Sequence, residues 1–221
     1  MTGPTRDRLT HAPGLYQGDH DLAVGAAERG ALLPRSDVRA GDAVLGLASP
    51  SMHSNGYSLV RKVVEANDLA WRSPAPLNRD QSLGEALPSP TRIYVASCLA
   101  AFRDSGAVKA LVHITGGGFP DNIPRVLPKG LGVEINLASI PVKPVFRWLA
   151  AAGGIAEGEM LRAFNCGVGM ITIVEAAAAD AVAAVLERCG EKVVHLGEVV
   201  EHAVEQPAGI VAYRGRLAIA D

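Results

Sequence analysis

The chain has 221 residues, of which 48% are hydrophobic and 5% aromatic, and its formal net charge at pH 7 is −2. A chain of this length and apolar content can bury a substantial core, which favours one globular domain with a tail. The small net charge, without a basic cluster, argues against a nucleic-acid-binding surface, and no apolar run is long enough to span a membrane as a helix.

Cysteine usage and the first residues bear on the compartment. The three cysteines are scattered along the chain, which favours a reducing compartment over a disulfide framework. The residues from Met1 to Asp7 are polar and lack the apolar centre of a secretion signal. We therefore expect a cytoplasmic protein.

Apolar runs alternate with helical patterns along the chain. Strands are predicted near 20–28, 42–48, 109–114, 131–136, 167–175 and 192–200, with a weaker final pair near 208–219. Helices are predicted after residue 55, over 90–104 with Val95, Leu99 and Phe102 on the buried face, and over 176–189. The proline-containing segment 66–88 is predicted to be a loop or flap. This order indicates the α/β (α+β) class, with a layered sandwich of helices on a mixed sheet.

The first segment that suggests chemistry follows the strand at 42–48. Ser54 or Asn55 is predicted to cap a helix whose buried face holds Leu59, Val60, Val63 and Val64. The open N–H groups of that first turn favour an anion. His53, Ser54, Asn55 and Gly56 are therefore candidates for one wall of a binding cleft. The alternative for His53 is that it orients its own turn.

The second segment ends the strand at 109–114 in three consecutive glycines. Glycine suits a loop that needs positive φ or the close approach of a ligand, so Thr115, Gly116, Gly117 and Gly118 are candidate phosphate-binding residues. Asn122 and Arg125 follow one short helical turn later and could add side-chain donors. A tight turn that packs strand against helix is the structural alternative. His113, inside the apolar run, is predicted to be a hydrogen-bonded core residue.

The third segment, from Phe164 to Met170, leads into a strand rich in β-branched residues. Asn165 stands at the strand entry and is predicted to bond either substrate or a neighbouring loop. Cys166 is predicted to be a small packed residue, since no acid–base partner lies at a telling spacing. Arg92, Arg147 and Arg162 are predicted to be surface or helix-end charges.

Taken in this order, the three segments resemble aminoimidazole ribonucleotide synthetase, also called phosphoribosylformylglycinamidine cyclo-ligase. The resemblance extends from about Pro13 to Val199 and includes the helix start from Ser89 to Tyr94. It implies a carboxyl-terminal synthetase domain over 34–221 and a remnant of the amino-terminal domain over 1–33. It also implies ATP- and magnesium-dependent ring closure in purine biosynthesis, from formylglycinamidine ribonucleotide to aminoimidazole ribonucleotide.

The chain departs from the family pattern near its start. The family's nucleotide loop, Asp-rich metal site and pairing sheet find no counterpart, and Arg6 to Ala12 stands where the family has acidic residues. The resemblance therefore implies that the elements that bind ATP and magnesium are absent, that no metal ligand can be carried over, and that an amino-terminal half or a homodimer partner is needed. We expect a ribonucleotide ligand and at most marginal ligase activity from the chain alone.

Two other functions are compatible with these observations. One is a non-catalytic truncated paralogue that binds a ribonucleotide phosphate without turnover. The other is a relative in the same superfamily, such as the amidotransferase-type synthetase of the preceding step or a thiamine, selenophosphate or hydrogenase-maturation kinase. The residues from His53 to Lys62 and from Thr115 to Pro128 favour the cyclo-ligase over such relatives.

Overall fold

The computed structural model describes residues 28–202 and 210–219. The chain divides into a first unit over 1–32 and a second over 33–221. The described part of the first unit holds a short 3-10 helix, Arg29–Ala31. The strand predicted near 20–28 lies outside the described residues except for Glu28, which is not in a strand.

The second unit alternates strands and helices. Its strands are β1 (Ala43–Ala48), β2 (Pro74–Ala75), β3 (Asn78–Ser82), β4 (Val108–His113), β5 (Leu131–Asn136), β6 (Val168–Val174), β7 (Val193–Glu201) and β8 (Val211–Arg214). Its helices are α1 (Tyr57–Ala66), α2 (Leu83–Ala86), α3 (Val95–Ser105), α4 (Gly118–Asn122), α5 (Pro144–Gly153), α6 (Glu157–Ala163) and α7 (Ala179–Arg188). No helix in the described ranges is long and apolar enough to cross a membrane.

Six strands form one mixed sheet in the order β4-β6-β1-β7-β5-β8. The pairs along this order are antiparallel up to β5, and β5 pairs with β8 in parallel. Helices accompany this sheet, so the predicted fold class is confirmed. The prediction of a final pair of strands near 208–219 is wrong in part, because residues 210–219 contain the single strand β8 followed by a turn.

The two faces of the sheet bury different clusters, because successive side chains of a strand point to opposite faces. Val44 of β1 packs in a large cluster with Val60 of α1 and Phe146 of α5. The next residue, Leu45, packs in a second cluster with Cys98 of α3 and Val182 of α7. The sheet is thus covered on both faces, as a layered sandwich requires.

The buried face of α3 differs from the prediction. Val95 and Leu99 are 63% and 43% exposed, and the buried face carries Ser97, Cys98 and Ala101 instead. Cys98 and Ala101 belong to the second cluster, where α7 contributes Val182 and Leu186. Small side chains allow two helices to approach closely, whereas hydrophobic periodicity alone favours the face with the largest apolar residues.

The segment predicted as a loop or flap contains regular structure. Strands β2 and β3 pair as a hairpin, and α2 follows them. The Glu85 carboxylate accepts hydrogen bonds from the N–H and hydroxyl of Ser82 at 2.9 and 2.7 Å, which stabilises the start of α2. Leu83 and Leu87 are buried, and the Tyr57 hydroxyl donates to the Leu87 carbonyl at 3.1 Å. Buried apolar side chains therefore hold this segment against the sheet domain.

Candidate functional site

The three segments selected from sequence meet at one end of the sheet. The antiparallel register pairs Ala48 at the end of β1 with Val168 at the start of β6. It also pairs His113 at the end of β4 with Met170. The loop after β1 (49–56), the loop after β4 (114–117) and the loop before β6 (164–167) therefore lie at the same sheet end, and we call them the three site loops.

Asn165 joins two of the site loops. Its side-chain oxygen accepts from the Ser49 hydroxyl at 2.9 Å and from the Gly167 N–H at 3.0 Å, and its amide nitrogen donates to the Ser51 carbonyl at 2.9 Å. The side chain is 1% exposed. Of the two contacts predicted for Asn165, the structure contains the one with a neighbouring loop.

The glycine run is shaped by internal contacts. Gly117 and Gly118 have φ of 89° and 58°, and a Cβ on Gly118 would collide with the Leu161 carbonyl of α6. The buried Asn122 amide donates to the carbonyls of Gly116 and Gly118 at 3.2 and 2.7 Å. The Thr115 hydroxyl lies 3.3 Å from the Asn122 side-chain oxygen. Asn122 thus holds the loop in shape and faces the loop itself.

The start of α1 differs from the predicted cap. Gly56 is the N-cap residue, with φ of 76° and no side-chain capping bond, and the Phe164 ring lies against it. Ser54 is exposed, with its hydroxyl 3.3 Å from that of Thr91, while Asn55 is half-buried. Glycine replaces a polar cap here because the aromatic ring leaves no room for a Cβ.

His53 is a buried titratable group of the site, with a side chain that is 1% exposed. Burial, and to a smaller extent the charge of the neighbouring His113, lowers its pKa to about 4. Its ring centroid lies 6.2 Å from that of Tyr94 and 6.3 Å from that of His113. Its Nε2 accepts a long hydrogen bond of 3.5 Å from the Arg92 N–H. Its Nδ1 is buried and has no partner among the described residues.

The prediction that His113 is a core residue is wrong. Val112 and Ile114 point into the large cluster, so the alternation of the strand turns His113 to the other face. There it is exposed, and partial burial of its ring lowers its pKa. His113 therefore faces the site next to His53.

Arg92, predicted to be a surface or helix-end charge, is exposed just before α3, but sequence reasoning missed its contacts with a distant segment. Its Nε donates to the Glu191 carboxylate at 2.7 Å, and its Nη2 donates to the Gly190 carbonyl at 2.8 Å. The hydrogen bond with Glu191 raises the pKa of Arg92. Glu191 is 6% exposed and accepts a second bond from Ser97 at 2.8 Å. The partners lie 99 residues apart, so no local pattern reveals the pair.

Other predicted residues have simpler surroundings. Arg125 is exposed in the 3-10 helix Ile123–Val126, and Gly116 is exposed with open space where a Cβ would lie. Cys166 is buried as predicted, and burial raises the pKa of its thiol. Thr115, Gly116, Gly117 and Arg125 thus retain contact with solvent, whereas Gly118 and Asn122 are buried.

Two pockets lie away from the site loops. One, of about 320 Å³, is lined by residues that include Glu134, His195, Glu198 and Arg214. The other, of about 260 Å³, lies beside Asp42. Both include residues at the start of β1, whereas the site loops gather beyond its end. We centre the candidate site on the loops because the partnerless Nδ1 of buried His53 lies there.

The resemblance implies magnesium, a cation that protein carboxylate oxygens bind. In residues 28–202 and 210–219, no three His, Cys, Asp or Glu side chains are grouped so that they could hold a metal ion. These residues do not fit a metal centre, and we derive no metal-dependent step from them.

Residues 39–207 match the family model for the AIR synthase related protein, C-terminal domain. The chain belongs to this family. The aminoimidazole ribonucleotide synthetase that the sequence resembles is a finer assignment within the AIR synthase relatives.

Solved structures share the fold of this AIR synthase related domain. E. coli HypE, a hydrogenase maturation protein, is 24% identical with a TM-score of 0.52, over 81% of this chain and 48% of that one. Thiamine-monophosphate kinase from Stenotrophomonas maltophilia K279a is 14% identical with a TM-score of 0.56, over 87% and 56%. A chain of a HypE–HypF complex is 18% identical with a TM-score of 0.53, over 81% and 52%. This chain spans about half the length of these relatives.

Proposed function

We propose that this chain is the carboxyl-terminal, substrate-holding part of an ATP-dependent ring-closing ligase of purine biosynthesis. Its ligand would be formylglycinamidine ribonucleotide, and the product aminoimidazole ribonucleotide. Membership of the AIR synthase related family supports the assignment to this superfamily. The amino-acid sequences of the site loops support the cyclo-ligase as the member of it. The observation that carries the proposal is the convergence of the three site loops around a buried histidine with a partnerless nitrogen.

The glycine loop would hold the phosphate of the ligand. Thr115 and Gly116 offer a hydroxyl and a backbone N–H, and Arg125 offers a guanidinium, which can bind two phosphate oxygens at once. Gly117 and Gly118 give the loop its positive φ, and Asn122 holds it closed. This division assigns ligand contact to Thr115, Gly116 and Arg125, and loop shape to Gly117, Gly118 and Asn122.

The loop after β1 would form the second wall of the cleft. His53, Ser54, Asn55 and Gly56 lie there, and Asn165 fastens this loop to the one before β6. Phosphoryl transfer depends mainly on positioning of the reactants and on charge neutralisation. This half would contribute the rigid cleft walls that position the ribonucleotide. The roles of these residues toward a ligand are part of the proposal.

ATP and magnesium are expected from the family resemblance. The described residues do not fit a metal centre, so we assign no step through either group to them. A separate amino-terminal half, or a second copy of this chain, is the proposed source of the nucleotide site.

Titration calorimetry of the purified chain tests the proposal, with formylglycinamidine ribonucleotide and magnesium-ATP added in separate experiments. We expect the ribonucleotide to bind and ATP not to bind. The dephosphorylated nucleoside should bind at least about tenfold more weakly, because the phosphate contacts are charge-assisted. Ribonucleotide and nucleoside binding with equal affinity would contradict the phosphate clamp.

The variant Arg125→Gln sharpens this test. Loss of the guanidinium should weaken ribonucleotide binding about tenfold, whereas Arg147→Gln, at an exposed position of α5, should leave it unchanged. An assay for imidazole product follows on the same samples. Turnover at a normal enzymatic rate would contradict the absence of an ATP site. Ribonucleotide binding that never leads to turnover, even with an amino-terminal half supplied, would favour the non-catalytic paralogue.

A further inference from the structure

The protonation of His53 can be deduced from its surroundings. The side chain is 1% exposed, and a buried ring nitrogen that makes no hydrogen bond is costly. Nε2 faces the Arg92 N–H at 3.5 Å, and Nδ1 has no partner among the described residues. The two nitrogens therefore differ in environment, and that difference decides which one carries the proton.

The backbone N–H of Arg92 can only donate. If Nε2 also carried a hydrogen, two donors would face each other, so Nε2 is the unprotonated acceptor. In a neutral imidazole the proton then resides on Nδ1. Burial and the neighbouring His113 disfavour the imidazolium, which would place protons on both nitrogens.

The position of the Arg92 N–H is set from both sides. The Arg92 side chain is tied to the Glu191 carboxylate and to the Gly190 carbonyl. Two residues later, the Tyr94 hydroxyl donates to the Ala48 carbonyl at 3.0 Å, at the end of β1. The irregular segment before α3 is thus fastened at two points around the residue that faces His53.

The His53 ring is also held in place by β6. A Cβ on Gly169 would lie 2.5 Å from the His53 Cε1 and would collide with the Tyr94 hydroxyl. The ring therefore packs directly against the backbone of β6. A ring held in this way cannot turn its nitrogens freely, so the hydrogen bond at Nε2 decides the tautomer.

We propose that Arg92, anchored by Glu191, is a positioning residue that fixes His53 as the Nδ1–H tautomer, so that His53 offers a buried donor to an oxygen atom of the ligand. The donor role toward a ligand rests on the proposed function, whereas the tautomer is a property of the free chain. The acceptor is a phosphate or carbonyl oxygen, since either can receive an N–H bond from a neutral imidazole.

Nitrogen NMR of the free chain tests the tautomer directly. The six histidines are labelled with 15N, and His53→Gln identifies the signals of His53 by their loss. At pH 7 we expect a protonated Nδ1 and an unprotonated Nε2. A proton on Nε2, averaged nitrogen shifts or a doubly protonated ring in the wild-type chain would overturn the proposal.

The positioning role is tested with Glu191→Gln, which removes the charge at nearly constant volume. We expect the nitrogen shifts of His53 to move toward each other as the second tautomer becomes populated. Glu187→Gln, at an exposed position of α7, is the matched control and should leave the shifts unchanged. Arg92→Lys, which lacks the planar guanidinium that donates to Glu191 and Gly190 from two nitrogens, is the second variant if the first does not fold. An unmixed Nδ1–H tautomer in a folded Glu191→Gln or Arg92→Lys chain would overturn the role of the pair.

The donor role is tested by adding formylglycinamidine ribonucleotide to the labelled wild-type chain. We expect the Nδ1 proton signal to shift on binding and to exchange more slowly with water. Calorimetric binding without any change at His53 would overturn the donor role. Absence of binding in calorimetry would instead count against the proposed function, and the tautomer of the free chain would still decide the positioning role.

Discussion

The Asn165 side chain and the Ser49 hydroxyl meet through a hydrogen bond of 2.9 Å, although 116 residues separate them. Both groups are buried, so water cannot replace either partner. The same Asn165 oxygen accepts the Gly167 N–H, and the amide nitrogen reaches Ser51. One side chain therefore ties the loop after β1 to the loop before β6, and the geometry of the site depends on it.

Asn165→Ala should destabilise the protein by about 2–4 kcal/mol. The substitution leaves the buried Ser49 hydroxyl, the Gly167 N–H and the Ser51 carbonyl without partners, and each unsatisfied group costs about 1–3 kcal/mol before relaxation. Urea unfolding, followed by circular dichroism, measures the change. Asn78→Ala, at an exposed position of the β2–β3 hairpin, should cost less than about 0.5 kcal/mol. Equal losses in the two variants would contradict the role of Asn165.

The glycine run offers a comparison between neighbouring positions. Gly118→Ala should cost at least about 2 kcal/mol, because φ is 58° and the new Cβ would meet the Leu161 carbonyl. Gly116→Ala should stay within about 0.5 kcal/mol of the wild type, since nothing lies within 4 Å of its Cβ. Thermal unfolding of both variants measures this. A stable Gly118→Ala protein would show that α4 and α6 do not pack as described.

The pH dependence of stability should report the burial of His53. Unfolding returns its pKa from about 4 to 6.5, so between these values the unfolded chain binds more protons than the folded one. The stabilisation from a neutral His53 is therefore complete above about pH 6.5 and is lost as the pH falls toward 4. The loss should be at most about 3 kcal/mol, at 1.36 kcal/mol per pKa unit.

Comparison with His53→Gln isolates this effect, because the other titratable groups, including His113, are present in both proteins. Urea unfolding is measured at several pH values between 4 and 7. The wild-type free energy of unfolding should fall more steeply than that of the variant as the pH decreases. Parallel curves would mean that His53 titrates normally in the folded protein.

A buried ion pair on the opposite end of the sheet should be costly to break. The Lys109 ammonium lies 2.8 and 2.9 Å from the two Asp42 oxygens, and the side chains are 4% and 2% exposed. Lys109→Met leaves a buried carboxylate without its counter-charge and should cost about 3–5 kcal/mol. Adding Asp42→Asn removes that charge and should restore part of the loss. Chemical denaturation of the single and double variants measures both.

The exposed Arg39–Glu175 pair is the control for this prediction. Its atoms are 3.4 Å apart, and its side chains are 70% and 49% exposed. Arg39→Ala should therefore change the free energy of unfolding by less than about 1 kcal/mol. A loss in Lys109→Met no larger than this would show that the Lys109–Asp42 pair is solvated.

The sequence by itself determined five of the six strands of the main sheet, which are β1, β4, β5, β6 and β7, and the positions of the site loops. Short apolar runs bounded by turn residues predict β1 and β4 to within one residue, because the alternation of burial along a strand is a local property. The glycines of the second segment likewise predict a loop of positive φ. These features depend on neighbouring residues, which the sequence displays directly.

The tertiary structure alone decided which groups those loops turn toward each other. Whether His113 enters the core or faces His53 depends on which face of β4 meets each helix layer. Asn165 holds two loops together because Ser49 comes close to it from a distant segment. Asn122 holds the glycine loop because that loop folds back onto its side chain. The anchoring of Arg92 by Glu191 requires the end of α7 to approach the start of α3. A hydrogen bond between distant residues exists only after chain folding has brought its two ends within reach, so no local pattern can encode it.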